Sequence, residues 1–391
     1  MHPITFFVPG PLDARTGGTI YDCRMAAALR ARGCRVQVVE LDASFPQPTP
    51  AALDDAGRAL ASSAPGTIAV IDSLAFGAMP ALVAREAPRL RIVALIHLPL
   101  AATFGLDREM ASRFEAGERR ALHAAALVVV TGKAALPLLA RYELPHDRIV
   151  VVEPGTDPAP LARGSGPAEA GHHVPGYGHH VLGSASYVAS GLPVRSSLGE
   201  GGSRTLELLC VGTLNPIKGH EMLLDALAAV PSRSWHLTCA GSLARDPATA
   251  SRVRTAMARL GLEDCVTLAG DLDDTALAAC YDRADLFVLA TRQETYGMAV
   301  AEALARGLPV VSTMTGAIPE LVGSEAGVLV PVGDTAALTA ALTTALTRVL
   351  EDPLLRARLA EGARRVRDRL PTWDEAADRM ATALASIDAR G

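Results

Sequence analysis

The sequence predicts an α/β protein built from two Rossmann-like domains that face each other across a cleft. Three observations lead there. The chain has 391 residues, more than one ordinary hydrophobic core accommodates. Nearly unbroken apolar runs alternate with helical patterns in both halves, as in parallel sheets covered on both faces. Between the halves, residues 163–203 are rich in Gly, Ser and Pro and poor in charge, which reads as a linker or mobile loop rather than a third core.

Taken in order, ITFFVPG (4–10) reads as a buried strand and TIYDCRMAAALRARG (19–33) as a helix closed by Gly33. RVQVVEL (35–41) follows as a strand, with more at 67–72, 91–97, 126–132 and 148–155 and helical patterns between them. The second half repeats the alternation. A strand is expected at 205–214 and a helix at 220–230, where Leu223, Leu224 and Leu227 share a face. Strands at 235–241, 266–270, 285–291 and 308–314 complete the set, and two amphipathic helices end the chain. The expected limits are 1–162 and 204–370 for the domains, with 371–391 crossing back to the first. Open α/β sheets bind ligands beyond the C-terminal ends of their strands, so two such edges face to face make an interdomain site.

Composition narrows the function. Hydrophobic residues make up 49% and charged residues 20%, with a net charge of −5. That leaves no global basic field for nucleic acid or an anionic membrane. The six cysteines form no CxxC pair and read as small buried hydrophobes in a reducing compartment. No signal peptide or membrane span is legible, so a cytoplasmic protein is expected, with peripheral membrane contact left open. Arg85, Arg89 and Arg91, and Arg108, Arg113, Arg119 and Arg120, are interleaved with Glu86, Glu109, Glu115 and Glu118. These read as solvated faces more than a membrane patch, which leans toward a soluble acceptor.

The densest chemistry lies in RQETYGMAVAEALARGLPVV (292–311), where Glu294 precedes a helical run and Glu302 sits inside it. A helix starting near Gly297 offers unpaired N–H groups and partial positive charge, a site for a diphosphate. Gly297 lets backbone approach phosphate without a Cβ. Glu302 is then placed to accept ribose hydroxyls, and Glu294 to hold hydroxyls of a sugar. The bland reading is two solvated glutamates. Lys218, in NPIKGH between a strand and a helix, can reach a leaving diphosphate and stabilise growing charge. Its bland reading is a surface lysine.

These stretches resemble the retaining family-4 glycosyltransferases of GT-B fold. The resemblance rests on VGTLNPIKGHEMLLDAL and ADLFVLATRQETYGMAVAEALARGLPVVSTMTGAIPELV in the second half. In the first half it rests on a Gly-Gly loop, IHLPL (96–100), VVVTGKAA (128–135) and VVVEPGTDP (150–158). It covers most of the chain except 163–203. It implies a metal-independent transfer of sugar from a nucleotide diphosphate sugar to an acceptor hydroxyl of unknown class, with no cofactor. It further implies front-face displacement, in which the leaving phosphate accepts the acceptor proton. The catalytic residues it implies are His97, Lys218 and Glu294. The donor-binding residues are Gly17, Gly18, Thr213, Lys218, Leu272, Glu294, Gly297, Met298, Ala299 and Glu302. The amides near Met298 and Ala299 would hold the diphosphate, and the Gly270–Leu272 backbone would contact the base.

One departure matters. Thr213 stands where the family usually has Arg, so the diphosphate would rely on Lys218, backbone and another arginine such as Arg292. Asp271 and Asp273 invite a metal but are read as helix caps. His172, His173, His179 and His180 of the linker are read as functionally silent. Alternatives stay open: a GT-B epimerase or phosphorylase, or a catalytically weak sugar-nucleotide-binding partner within an assembly.

Overall fold

A computed structural model describes residues 2–164 and 204–387. It contains two six-stranded sheets, and every strand pair in them is parallel. The first is built from β1 (Ile4–Pro9), β2 (Val36–Leu41), β3 (Ile68–Asp72), β4 (Arg91–Ile96), β5 (Leu127–Val130) and β6 (Ile149–Val151), in the order β2-β1-β3-β4-β5-β6. The second is built from β7 (Leu206–Val211), β8 (Trp235–Ala240), β9 (Val266–Gly270), β10 (Leu286–Leu289), β11 (Val310–Thr313) and β12 (Gly327–Val330), in the order β12-β11-β10-β7-β8-β9. This is the GT-B architecture.

The sequence explains why these runs are central strands. Every residue of β1, β3, β5 and β10 is buried, so no alternation survives and both faces are covered by helices. Two apolar layers flank the first sheet. One contains Phe7, Ile71 and Phe76; the other contains Phe6, Met25 and Leu95 and takes in Ala376, Met380 and Leu384 of the last helix, Trp373–Ala385. That helix therefore packs into the core of the first sheet. Its start is fixed by a capping box between Thr372 and Glu375.

Several expectations need correction. The first helix spans Gly17–Ala31, so Gly17 and Gly18 are its opening turn and not a loop before it. Thr16 caps it, its hydroxyl accepting the N–H of Thr19 at 3.2 Å. β12 was not anticipated. Its residues, GVLV, are only partly buried up to Val330, so no fully covered apolar run marks this edge strand. The crossing to the second domain begins before residue 163: the Ala162 N–H donates to the Arg306 carbonyl at 2.9 Å, and Arg367 donates to the Ala159 carbonyl at 2.8 Å. Residues 165–203, including His172, His173, His179 and His180, lie outside the described residues. Cys210, Cys239 and Cys280 are buried and all six cysteines are free. No described helix is long and apolar enough to cross a membrane.

Candidate active site

Each sheet has a switch point where the strand order reverses. In the second it lies between β7 and β10, and the loops leaving those strands carry Lys218 and Glu294. In the first it lies between β1 and β3, and the chain beyond them carries the Gly17 helix and Asp72. The two edges face each other across a cavity of about 640 Å³. Gly17, Gly18, His97, Thr213, Lys218, Leu272, Glu294, Gly297, Met298, Ala299 and Glu302 all line it.

On the C-terminal wall, Asn215 caps a short 3-10 turn, Pro216–Lys218, its side chain accepting the Lys218 N–H at 3.1 Å. The Lys218 ammonium donates to Glu294 Oε1, and both side chains are largely buried. Gly219 then takes φ +67°, and a Cβ there would run into the Ala290 carbonyl. This fixes the turn that aims Lys218 inward. Thr213 lines the same wall, and a Cβ on the neighbouring Gly212 would already touch the Lys218 stem at 3.4 Å.

The helix Met298–Ala305 begins directly after Gly297, which holds φ +97° and gives no side-chain cap. The N–H groups of Val300 and Ala301 both turn back to the Gly297 carbonyl, at 3.0 Å each. The open first turn therefore points into the cavity. Glu302 lies one turn further in and is partly buried. The Tyr281 hydroxyl donates to its Oε2 at 2.9 Å. Burial raises the Glu302 carboxyl above its usual range, against the pull of the Tyr281 hydrogen bond and Arg306.

On the N-terminal wall, Gly17 lies against Met298: a Cβ there would be 3.6 Å from Met298 Cε. Two helix N-termini thus meet across the cleft, where their partial positive charges add. His97 follows β4, with its ring 5.3 Å edge-on from Tyr21 and its Nε2 between Asp22 Oδ1 at 3.0 Å and Asp72 Oδ2 at 3.2 Å.

Arg292 is not in this cavity, contrary to expectation. Its guanidinium lies 5.4 Å over the Phe104 ring and donates to Thr335 Oγ1 at 2.7 Å. It turns away because the Arg292 N–H is tied to the Ile217 carbonyl at 2.7 Å, on the outer side of the Lys218 turn. The arginines that do line the cavity are Arg15 and Arg245. Arg15 also reaches across the cleft to Asp274 Oδ1 at 2.7 Å. Asp273 caps the helix Asp274–Arg283, accepting the Ala276 N–H at 2.8 Å. Sequence reasoning missed Tyr281, Asp22, Asp72, Arg15 and Arg245. Arg15 had a legible signal, sitting two residues before the Gly-Gly pair. Asp22 had one too, four residues after that pair, while Tyr281, Asp72 and Arg245 were visible only as helix, strand-end or loop residues.

Comparison with known proteins places the chain among glycosyltransferases. Residues 205–348 match the family model of glycosyl transferases group 1. A D-inositol 3-phosphate glycosyltransferase from Xylanimonas cellulosilytica is 32% identical over 277 residues, covering 70% of this chain and 60% of that protein. The mannosylfructose-phosphate synthase of Agrobacterium fabrum is 34% identical over 117 residues, 28% of this chain and 26% of that protein. The chain spans 50–60% of the length of the first three curated relatives it matches. Among solved structures, a sucrose-phosphate synthase from Thermosynechococcus elongatus superimposes with a TM-score of 0.77 at 20% identity, covering 100% of both chains. Anabaena HepE, solved with UDP and glucose, gives a TM-score of 0.71 at 17% identity, covering 98% of this chain and 100% of that one.

Proposed function

We propose that this chain, which belongs to the group 1 glycosyl transferases, moves a sugar from a nucleoside diphosphate donor to an acceptor hydroxyl, with retention at the anomeric carbon and without a metal ion. One observation carries the reading. Lys218 and Glu294 meet just ahead of the open helix turn at Met298, with Glu302 a turn inside it. That spacing suits a sugar, a diphosphate and a ribose laid along one wall.

In this reading the amides of Met298 and Ala299 bind the diphosphate, assisted by the opposing helix turn at Gly17. Glu302, oriented by Tyr281, accepts the ribose hydroxyls. Glu294 accepts hydroxyls of the transferred sugar and holds the Lys218 ammonium beside the bridging oxygen. The C1–O bond to the β-phosphate breaks while the acceptor oxygen bonds to C1 on the same face. The acceptor proton passes to the departing phosphate oxygen, and Lys218 stabilises the charge that grows there. Lys218, Arg15, Arg245 and two helix N-termini supply the positive field that a metal would otherwise provide. Arg15 and Arg245 also offer guanidinium groups where Thr213 does not.

The test is a thermal-shift screen against UDP, GDP, ADP and dTDP and their sugars, beside the Glu302→Ala protein. UDP goes first, because HepE was solved with it. A ligand at 100 times its dissociation constant stabilises the native state by about 2.7 kcal/mol. A shift with one nucleotide, lost in the variant, is the expected result; no shift with any of them sinks the assignment. The anomeric coupling constant of the product, read by NMR, decides retention.

A further inference from the structure

We propose that Asp22 and Asp72 are positioning residues that hold His97 by one ring edge as a cation, so that its other N–H serves a hydroxyl oxygen of the bound substrates. The proposal rests on the glycosyl-transfer reading of the cleft and adds two carboxylates to it.

Geometry comes first. Both carboxylates converge on the same nitrogen, Nε2, at 3.0 Å from Asp22 and 3.2 Å from Asp72. A bare lone pair there would face two oxygens, so Nε2 carries its hydrogen. Asp22 is fully buried and Asp72 is 4% exposed. Buried carboxylates need a compensating charge, and the imidazole is the group that can supply it. A protonated ring has a second N–H, on Nδ1, and His97 lines the cavity with its side chain 19% exposed. Gly18 makes the placement feasible, since a Cβ there would crowd His97 Cδ2 at 3.2 Å.

The two aspartates differ. Asp72 Oδ1 accepts the Leu74 N–H at 2.7 Å and so caps the short helical turn that follows β3. Asp22 Oδ2 is buried with no hydrogen-bond partner among the described residues, which makes it the oxygen available to take a proton. Burial lifts the Asp22 carboxyl, while His97 pulls it back. Burial alone would lower His97, but the two aspartates hold it up, at about 10. Around the cluster, Tyr21 and Cys23 on the same helix feel the Asp22 charge, while Arg379 of the last helix acts on Tyr21 and Arg30 on Cys23.

The charge count names the ligand chemistry. One imidazolium with two carboxylates is net negative, or neutral once Asp22 takes a proton. In neither state does such a cluster carry the net positive charge that would favour phosphate, and it suits a neutral hydroxyl, on the transferred sugar or on the acceptor.

The experiment follows His97 by NMR in protein labelled with ¹³C,¹⁵N-histidine, its signal assigned by its loss in His97→Asn. It is run on the wild type, Asp22→Asn and Asp72→Asn, with pH–rate profiles beside it. The wild-type ring should titrate well above the usual histidine range of about 6.5. Each asparagine variant should bring the midpoint down by more than one pH unit, and the alkaline limb of kcat should move with it. A wild-type midpoint near 6.5, or midpoints and limbs unmoved in both variants, overturns the proposal. The NMR arm needs no turnover, so its failure is distinguishable from failure of the glycosyl-transfer reading, which the nucleotide screen tests.

Discussion

Lys218 and Glu294 lie 76 residues apart in sequence and share one hydrogen bond in the cleft. An ammonium and a carboxylate held together in a largely buried place are worth more to chemistry than to stability. Lys218→Ala is therefore expected to lower kcat by about 10²–10³, the range for losing one transition-state charge partner. Arg292→Ala, whose side chain contacts Phe104 and Thr335 outside the cavity, should change kcat far less. Comparable losses in both variants would overturn that ordering. In the proposed donor site Glu302 must be ionised to accept two ribose hydroxyls, and burial raises its carboxyl above the usual value of 4.5. Donor affinity should then fall as pH drops, with a midpoint above 4.5. Tyr281→Phe removes the hydrogen bond that opposes this rise, so the midpoint should climb further, as calorimetric titration of donor binding against pH can show.

Between strand and helix, backbone conformation decides what side chains can do. The turn from β10 into the helix Met298–Ala305 passes through Gly297 at φ +97°, where a Cβ would also meet Ile318 at 3.2 Å. The sequence reading gave this glycine the task of clearing room for phosphate. The structure gives it a second reason, because the turn itself needs a left-handed residue. Gly297→Ala should cost about 1–3 kcal/mol in strain, measurable by denaturant unfolding. It should also raise the KM for donor, because the first-turn amides would shift. A variant with wild-type stability and KM would show that the turn tolerates a side chain. The strand cores were legible for a simpler reason: Val, Ile and Leu runs such as IAVID and LVVV need burial on both faces wherever they lie. β12 was not legible, because a four-residue edge strand takes its identity from its neighbour β11.

Across the whole molecule, the chain closes on itself twice. The last helix returns to the first domain, where Met380 is fully buried beside Met25 and Leu95. Met380→Ala should cost about 2–5 kcal/mol, as for other buried methionine truncations. The loss should appear as a lower melting temperature, although the residue lies 285 positions from Leu95 and 355 from Met25 in sequence. The domains also touch across the cleft through Lys133 and Glu320 at 2.9 Å, and through Gln293 donating to the Ala102 carbonyl at 2.6 Å. Both ion-pair side chains, like those of Arg15 and Asp274, are exposed to water, which suits a cleft that opens and closes around substrates.

The sequence by itself determined the two α/β halves, the switch-point loops and the lysine, glycine and glutamate positions that the structure brings to the C-terminal wall of the cavity. Those features are local: an apolar run, a glycine before a helix, a lysine in a strand-to-helix turn. Only the tertiary structure decided which charges face one another. Asp22 lies mid-helix, Asp72 ends a strand and His97 follows another, and each looks ordinary alone. Their meeting at one nitrogen depends on the order β1-β3-β4 in a folded sheet, and no spacing along the chain encodes it. Arg292 makes the same point in reverse, because its neighbours in sequence are at the site and its guanidinium is not.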